Sequence, residues 1–201
     1  MKRKIYNSNN DNAEVLCVPW YPQQEHSYYC FPYSLWMVIQ FYKNVYTNNL
    51  IKKNTPNLDI EELARLCKTD PRAGTRINDQ LVNSLNKAIP TLNFELVNAF
   101  DFKQLKKIVV DNQCPCIVIY DCGYFLYGIE SQVGHAGVVI GLDDTSIYLN
   151  NPWLGAEKEI DKVKFNDCWE IEYNQVLLIK PRLQTDLNED SFNKNASETS
   201  N

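Results

Sequence analysis

An α+β fold is predicted by how the residue patterns change along the chain. The first two-fifths is dominated by helical periodicity, the remainder is a series of short β-branched runs separated by Gly and Asp turns, and the two do not alternate regularly. Helices followed by a mostly antiparallel sheet satisfy this order; a parallel sheet of repeated βαβ units does not.

The first helix is predicted to start just after Cys30. Phe31, Leu35, Val38, Ile39 and Tyr42 fall on one helical face, and Pro32 suits a first turn, where no intrahelical N–H bond is lost. A second helix is predicted over Ile60 to Cys67, with Asp59 as N-cap and Glu61 and Glu62 near its positive end. Ile77 to Ala88 and Phe102 to Val110 continue the helical pattern. The predicted strands are Cys116 to Tyr120, His135 to Ile140, Ile147 to Leu149 and Val176 to Ile179. Asp143-Asp144-Thr145-Ser146 reads as a hairpin connection between two of them.

One domain accounts for the whole, because a single core commonly serves about 100–200 residues. Its body is expected over residues 13–182, with a flexible tail at 1–12 and a polar, disordered tail at 183–201. Of the 201 residues 44% are hydrophobic and 12% aromatic, which supports a packed core rather than a disordered chain. The formal net charge of −5 comes from interspersed charges with no basic stripe, so nucleic acid is not an expected partner. No apolar run is long enough to span a bilayer and no apolar stretch follows the basic N-terminus, so neither a membrane partner nor a secretory signal is expected. Nothing in the sequence specifies an oligomeric state.

Seven cysteines are an odd number without the spacing of a disulfide framework, which fits a reducing cytoplasm. Cys114, Cys116 and Cys122 do not form the paired knuckles of a zinc site, so no metal and no other cofactor is expected. Most of the cysteines sit in apolar runs, where a thiol packs as a small hydrophobe. Cys30 differs, because the N-terminus of a helix favours a thiolate.

With two histidines in the chain, His26 and His135, any base for Cys30 must be one of them. His135 opens an apolar strand, where its ring can be held rigidly; His26 lies in a loop-like stretch four residues before Cys30 and is assigned to the loop or to the substrate cleft. A carbonyl or carboxylate on the next strand would orient the imidazole, and Asn150, Asn151 and Asp144 are all within reach.

The segment CVPWYPQQEHSYYCFPYSLWMVIQFY resembles the opening of bacteriocin-processing (double-glycine leader) peptidases and their soluble relatives, with Gln24 six residues before Cys30. Further on, GHAGVVIGLDDTSIYLNNPW resembles that family's His-led strand, turn, second strand and Asp-Pro pair, and aligning on Pro152 puts Asn151 at the Asp position. FKQLKKIVVDNQCPCIVIY, Phe165 and Trp169 extend the likeness over nearly the whole body. The resemblance implies a papain-like fold and a thiol hydrolase acting on a peptide or protein. It implies Cys30 as nucleophile, His135 as base, Asn151 as the residue orienting that base, and Gln24 as an oxyanion donor beside the Cys30 N–H. Trp153 would shield the bond between Asn151 and His135.

Two positions depart from the family pattern. Phe31 stands where Gly is usual, and its ring is expected in the substrate cleft. Asn151 replaces the usual Asp, although papain also uses a neutral Asn. Alongside cleavage of a peptide or isopeptide bond, two other outcomes fit the same residues: a related acyl transfer such as deamidation or transglutamination, and a catalytically lapsed peptide-binding module.

Overall fold

A computed structural model describes residues 1–6, 12–24, 28–46 and 53–182. His26 and the expected C-terminal tail lie outside these described residues. The expected α+β architecture is observed: a six-stranded, wholly antiparallel sheet with order β3-β8-β4-β5-β6-β7, packed by helices, and a separate two-stranded hairpin, β1-β2.

Helix α1 (Cys30–Val45) carries the predicted apolar face, and Phe31, Leu35, Val38, Ile39 and Tyr42 are all buried. Two hydrogen bonds fix it to the sheet. Ser34 Oγ donates to the Ala136 carbonyl on β5 (Gly134–Leu142) at 3.2 Å, and Tyr42 Oη donates to the Ile179 carbonyl on β8 (Val176–Pro181) at 2.6 Å. The first of these couples the start of the cysteine helix to the residue after His135.

The second helix, α2 (Ile60–Leu66), begins with the expected Asp59 cap, completed by Glu62 into a capping box. The third, α3 (Asp79–Ala88), starts after Asn78, whose side chain accepts from the Leu81 N–H. The segment predicted as one helix from Phe102 divides into α4 (Phe102–Leu105), capped by Asp101 and Gln104, and a π-helical turn over Lys106–Asp111.

Strands β4 (Cys116–Asp121) and β6 (Ser146–Asn151) are buried along their whole length, which explains their continuous apolar runs. Asp143 accepts from Thr145 and Ser146 N–H groups in the predicted β5–β6 turn. Several elements were not predicted. Edge strand β7 (Gly155–Asp161) carries the consecutive, sign-alternating charges Glu157, Lys158 and Glu159 and reads as a loop; β3 (Leu92–Val97) at the other edge is part exposed. Helix α5 (Cys122–Tyr127) has six residues, and α6 (Lys162–Ile171) has its first turn capped by Asp161.

The expected N-terminal tail is in part a strand. Strand β1 (Lys2–Tyr6) pairs with β2 (Asn12–Leu16), whose Ala13, Val15 and Leu16 are buried. β2 lies so close to β5 that a Cβ added at Gly141 would sit 2.7 Å from the Glu14 carbonyl oxygen and 3.0 Å from a Val15 methyl. Gly141→Ala is therefore expected to destabilise the fold by about 1–3 kcal/mol through overpacking. The result should be a lower urea midpoint at unchanged m-value; an unaltered midpoint would mean that the hairpin does not rest on this strand.

Candidate active site

The site is built from the N-terminus of α1 and the adjoining strands β4, β5 and β6. No side chain caps the start of α1, and its first turn contains no acidic residue. Cys30 is the first residue of the helix, where the N-terminal end of the dipole favours an anion, and the Phe31 backbone N–H bonds its sulfur.

His135, the second residue of β5, is 6% exposed. Its Nε2 lies 3.1 Å from Asn151 Oδ1, leaving Nδ1 for its side-chain hydrogen bond with Cys30. The orientation of the Asn151 amide follows from its other partners. Oδ1 also accepts from the Trp153 and Leu154 backbone N–H groups at 2.8 and 2.9 Å, while Nδ2 donates to Tyr120 Oη at 2.7 Å. A flipped amide would point its NH₂ at two backbone donors. With Oδ1 fixed as the acceptor, Nε2 must carry a proton, and in the neutral ring Nδ1 is bare on the side of the thiol.

Electrostatics act on this pair in opposite directions. Burial raises the Cys30 pKa, but the His135 charge, its hydrogen bond and the Ala136 and Phe31 backbone contacts outweigh that and lower it. Burial lowers the His135 pKa, and the thiolate together with the hydrogen bonds from Cys30 and Asn151 more than restores it, so the net shift is upward. Burial is the largest cause for the other shifted cysteines: it pushes Cys67 up to about 12, raises Cys116, and with the charge of Asp121 among the lesser causes pushes Cys168 up to about 12 and Cys122 up to about 11. Cys30 is the one among them that moves down. The arrangement can therefore hold a thiolate beside an imidazolium.

The cleft over this pair has a volume of about 870 Å³. Its lining includes Trp20, Gln23, Gln24, Tyr28, Cys122, Val133, Trp153 and Leu154. The segment bearing the two glutamines is strapped to the Asn151 turn, for Trp20 Nε1 donates to the Asn151 carbonyl at 2.9 Å and Gln23 N–H to the Pro152 carbonyl at 2.8 Å.

Cys30, His135 and Asn151 are thus brought together, with Gln24 on the lip of the same cleft. Trp153 lines the cleft with its ring centroid 6.2 Å from that of His135, but it is 54% exposed and covers the imidazole only in part. Asn150 and Asp144 drop out: Asn150 bonds the Val18 carbonyl and the Glu157 N–H, and Asp144 is paired with Lys106 at the surface.

Phe31 corrects an expectation. It is 1% exposed and does not line the cleft. As the second helical residue it is rotated about 100° from Cys30, so its ring enters the core while its backbone still contacts the thiol. Tyr120, not singled out by the sequence, stands opposite His135 in the β4–β5 register and meets its ring edge-on at 5.5 Å. Its only sequence signal is a hydroxyl at the end of an apolar strand.

Among the described residues there is no group of three or more His, Cys, Asp or Glu side chains that could hold a metal ion, and no helix long and apolar enough to cross a membrane.

Residues 15–177 match the model of the Peptidase_C39 like family. The chain belongs to that family. Solved structures agree with this C39-like assignment at the level of the fold. A protein described as a C39-like peptidase from Bacillus anthracis superposes with a TM-score of 0.60 at 17% identity, over 90% of this chain and 100% of that one. A double glycine motif protease from an AMS/PCAT transporter, solved in complex with the leader peptide, gives 0.58 at 20% identity over 84% and 94%. The peptidase domain of Streptococcus ComA, a bifunctional ABC transporter involved in a quorum-sensing pathway, gives 0.57 at 18% identity over 82% and 99%. No curated protein matches the chain in sequence. Family and fold together support a C39-like cysteine peptidase of papain-like architecture.

Proposed function

We propose that this C39-like chain is a thiol-dependent peptidase that cleaves a peptide or isopeptide bond through an acyl-thioenzyme. The observation that carries the proposal is the continuous chain of contacts from Cys30 through His135 to Asn151 at the floor of an open cleft.

In the proposed cycle the Cys30 thiolate attacks the scissile carbonyl carbon, and the carbonyl π electrons move to oxygen. The resulting oxyanion is held by the Cys30 backbone N–H and the Gln24 side-chain NH₂, donors that act most strongly on the charge developed in the transition state. His135 imidazolium gives its Nδ1 proton to the departing amine as the C–N bond breaks, leaving a thioester. Water then attacks the thioester with His135 as base, and the thiolate leaves. Asn151 keeps Nε2 protonated throughout, so that Nδ1 handles each proton.

The burial of Phe31 removes the crowded cleft that would have favoured a lapsed binding module. A neutral Asn151 still fixes ring orientation, though it gives imidazolium less charge stabilisation than Asp would. The discriminating experiment is mass spectrometry of a peptide library incubated with wild type and with Cys30→Ala. New termini formed only by the wild type are expected. A gain of about one mass unit without cleavage would instead indicate deamidation of glutamine, and incorporation of an added amine would indicate acyl transfer; either would contradict the peptidase assignment.

A further inference from the structure

We infer that Tyr120 is a positioning residue for the Cys30–His135 pair, holding the Asn151 amide from below by accepting its Nδ2–H. The inference rests on the thiol-peptidase function proposed above and adds a residue to it.

The geometry is a consequence of sheet order. Strand β5 runs between β4 and β6, so Tyr120 and Asn151 are two strands apart and flank His135. A tyrosine can cross that gap beside the imidazole, whereas a shorter hydroxyl residue at the same register position cannot. Tyr120 does so with its ring edge against His135 and its oxygen 2.7 Å from Asn151 Nδ2. Phe125 of α5 and Phe165 of α6 pack against the same ring at 5.3 and 5.4 Å between centroids, and hold it in place.

The Asn151 amide therefore has every polar atom engaged on a fixed partner. Oδ1 accepts from the two turn N–H groups and His135 Nε2–H, and Nδ2 donates a hydrogen bond to Tyr120 Oη. Donation from Nδ2 polarises the amide and makes Oδ1 a better acceptor, which partly offsets the charge missing from a neutral third residue. Burial keeps the phenol protonated, negative charge on Cys122 of α5, Cys168 of α6 or Cys30 of α1 acts the same way, and the hydrogen bond from Asn151 opposes them without reversing the shift, so the oxygen remains a neutral acceptor.

The test is Tyr120→Phe, which removes the hydroxyl and retains the packed ring, read by the pH dependence of Cys30 alkylation with iodoacetamide alongside turnover. The pH midpoint of alkylation is expected to move up and kcat to fall about tenfold, the size of one buried donor left without its partner. In an Asn151→Ala background, where the ring has no amide left to hold, the same substitution is expected to add no further shift.

An unchanged midpoint in Tyr120→Phe, or an equal shift with and without Asn151, overturns the inference. If wild-type Cys30 itself shows no depressed midpoint, the function proposed above fails first, and that outcome is distinguishable because it needs no variant.

Discussion

Replacing His135 with alanine is expected to cut turnover by about four to six orders of magnitude, the scale of loss when one member of a nucleophile–base pair is removed. Two effects combine. The base that accepts and returns the proton disappears, and so does the charge that lowers the Cys30 pKa. What remains is a partly buried thiol at a helix N-terminus, and desolvation is the largest single influence on its pKa and acts upward. A double substitution of Cys30 and His135 should be no worse than either single one, because the two groups act as a unit. Steady-state assays on the cleaved peptide, with thermal unfolding to verify the fold, measure this directly; a variant retaining more than about a tenth of wild-type turnover would remove His135 from the chemistry.

Gln24→Ala carries the second-largest expected effect, a drop of about 10²-fold in kcat with little change in KM, as for loss of one oxyanion donor. Its neighbour gives the contrast. Gln23 also lines the cleft, and its backbone N–H is engaged by the Pro152 carbonyl. Gln23→Ala keeps that backbone bond and should reduce kcat by no more than a few-fold, so the pair of variants locates the donor. If the two effects are reversed, the spacing of six residues before Cys30 selects the wrong glutamine.

Local chemistry made much of this legible in the sequence. The α1 face shows at helical spacing, and the Asp59 cap follows from an oxygen acceptor placed before Glu61 and Glu62. Cys30 and His135 stand out because one opens a helix and the other an apolar strand. The residue pattern alone leaves Asn150, Asn151 and Asp144 open, and the family resemblance around Pro152 singles out Asn151; the turn geometry directs Asn151 toward His135 and Asn150 toward Val18.

The misses share a physical cause: they depend on register and on long-range packing. Tyr120 acquires a role only because β4 and β5 align it with His135. The N-terminal hairpin is stabilised by β2 lying against β5, information that resides at Gly141, far along the chain. Edge strand β7 has one face in solvent, so its charged alternation is compatible with a loop. Phe31 was misplaced because the usual Gly invites attention to side-chain size, whereas the cleft meets only the backbone of that residue.

The most direct measurement is the rate of iodoacetamide alkylation against pH in wild type and His135→Ala, with the adduct located by mass spectrometry. The downward shift of the Cys30 pKa and the upward shift of the His135 pKa both favour the form in which thiolate and imidazolium coexist. Wild-type Cys30 is expected to react selectively at mildly acidic pH, well below the free-thiol pKa of about 8.5, and to lose that reactivity without His135. Uniform, slow labelling at that pH, or a profile indifferent to His135, would contradict the existence of the pair and with it the peptidase mechanism.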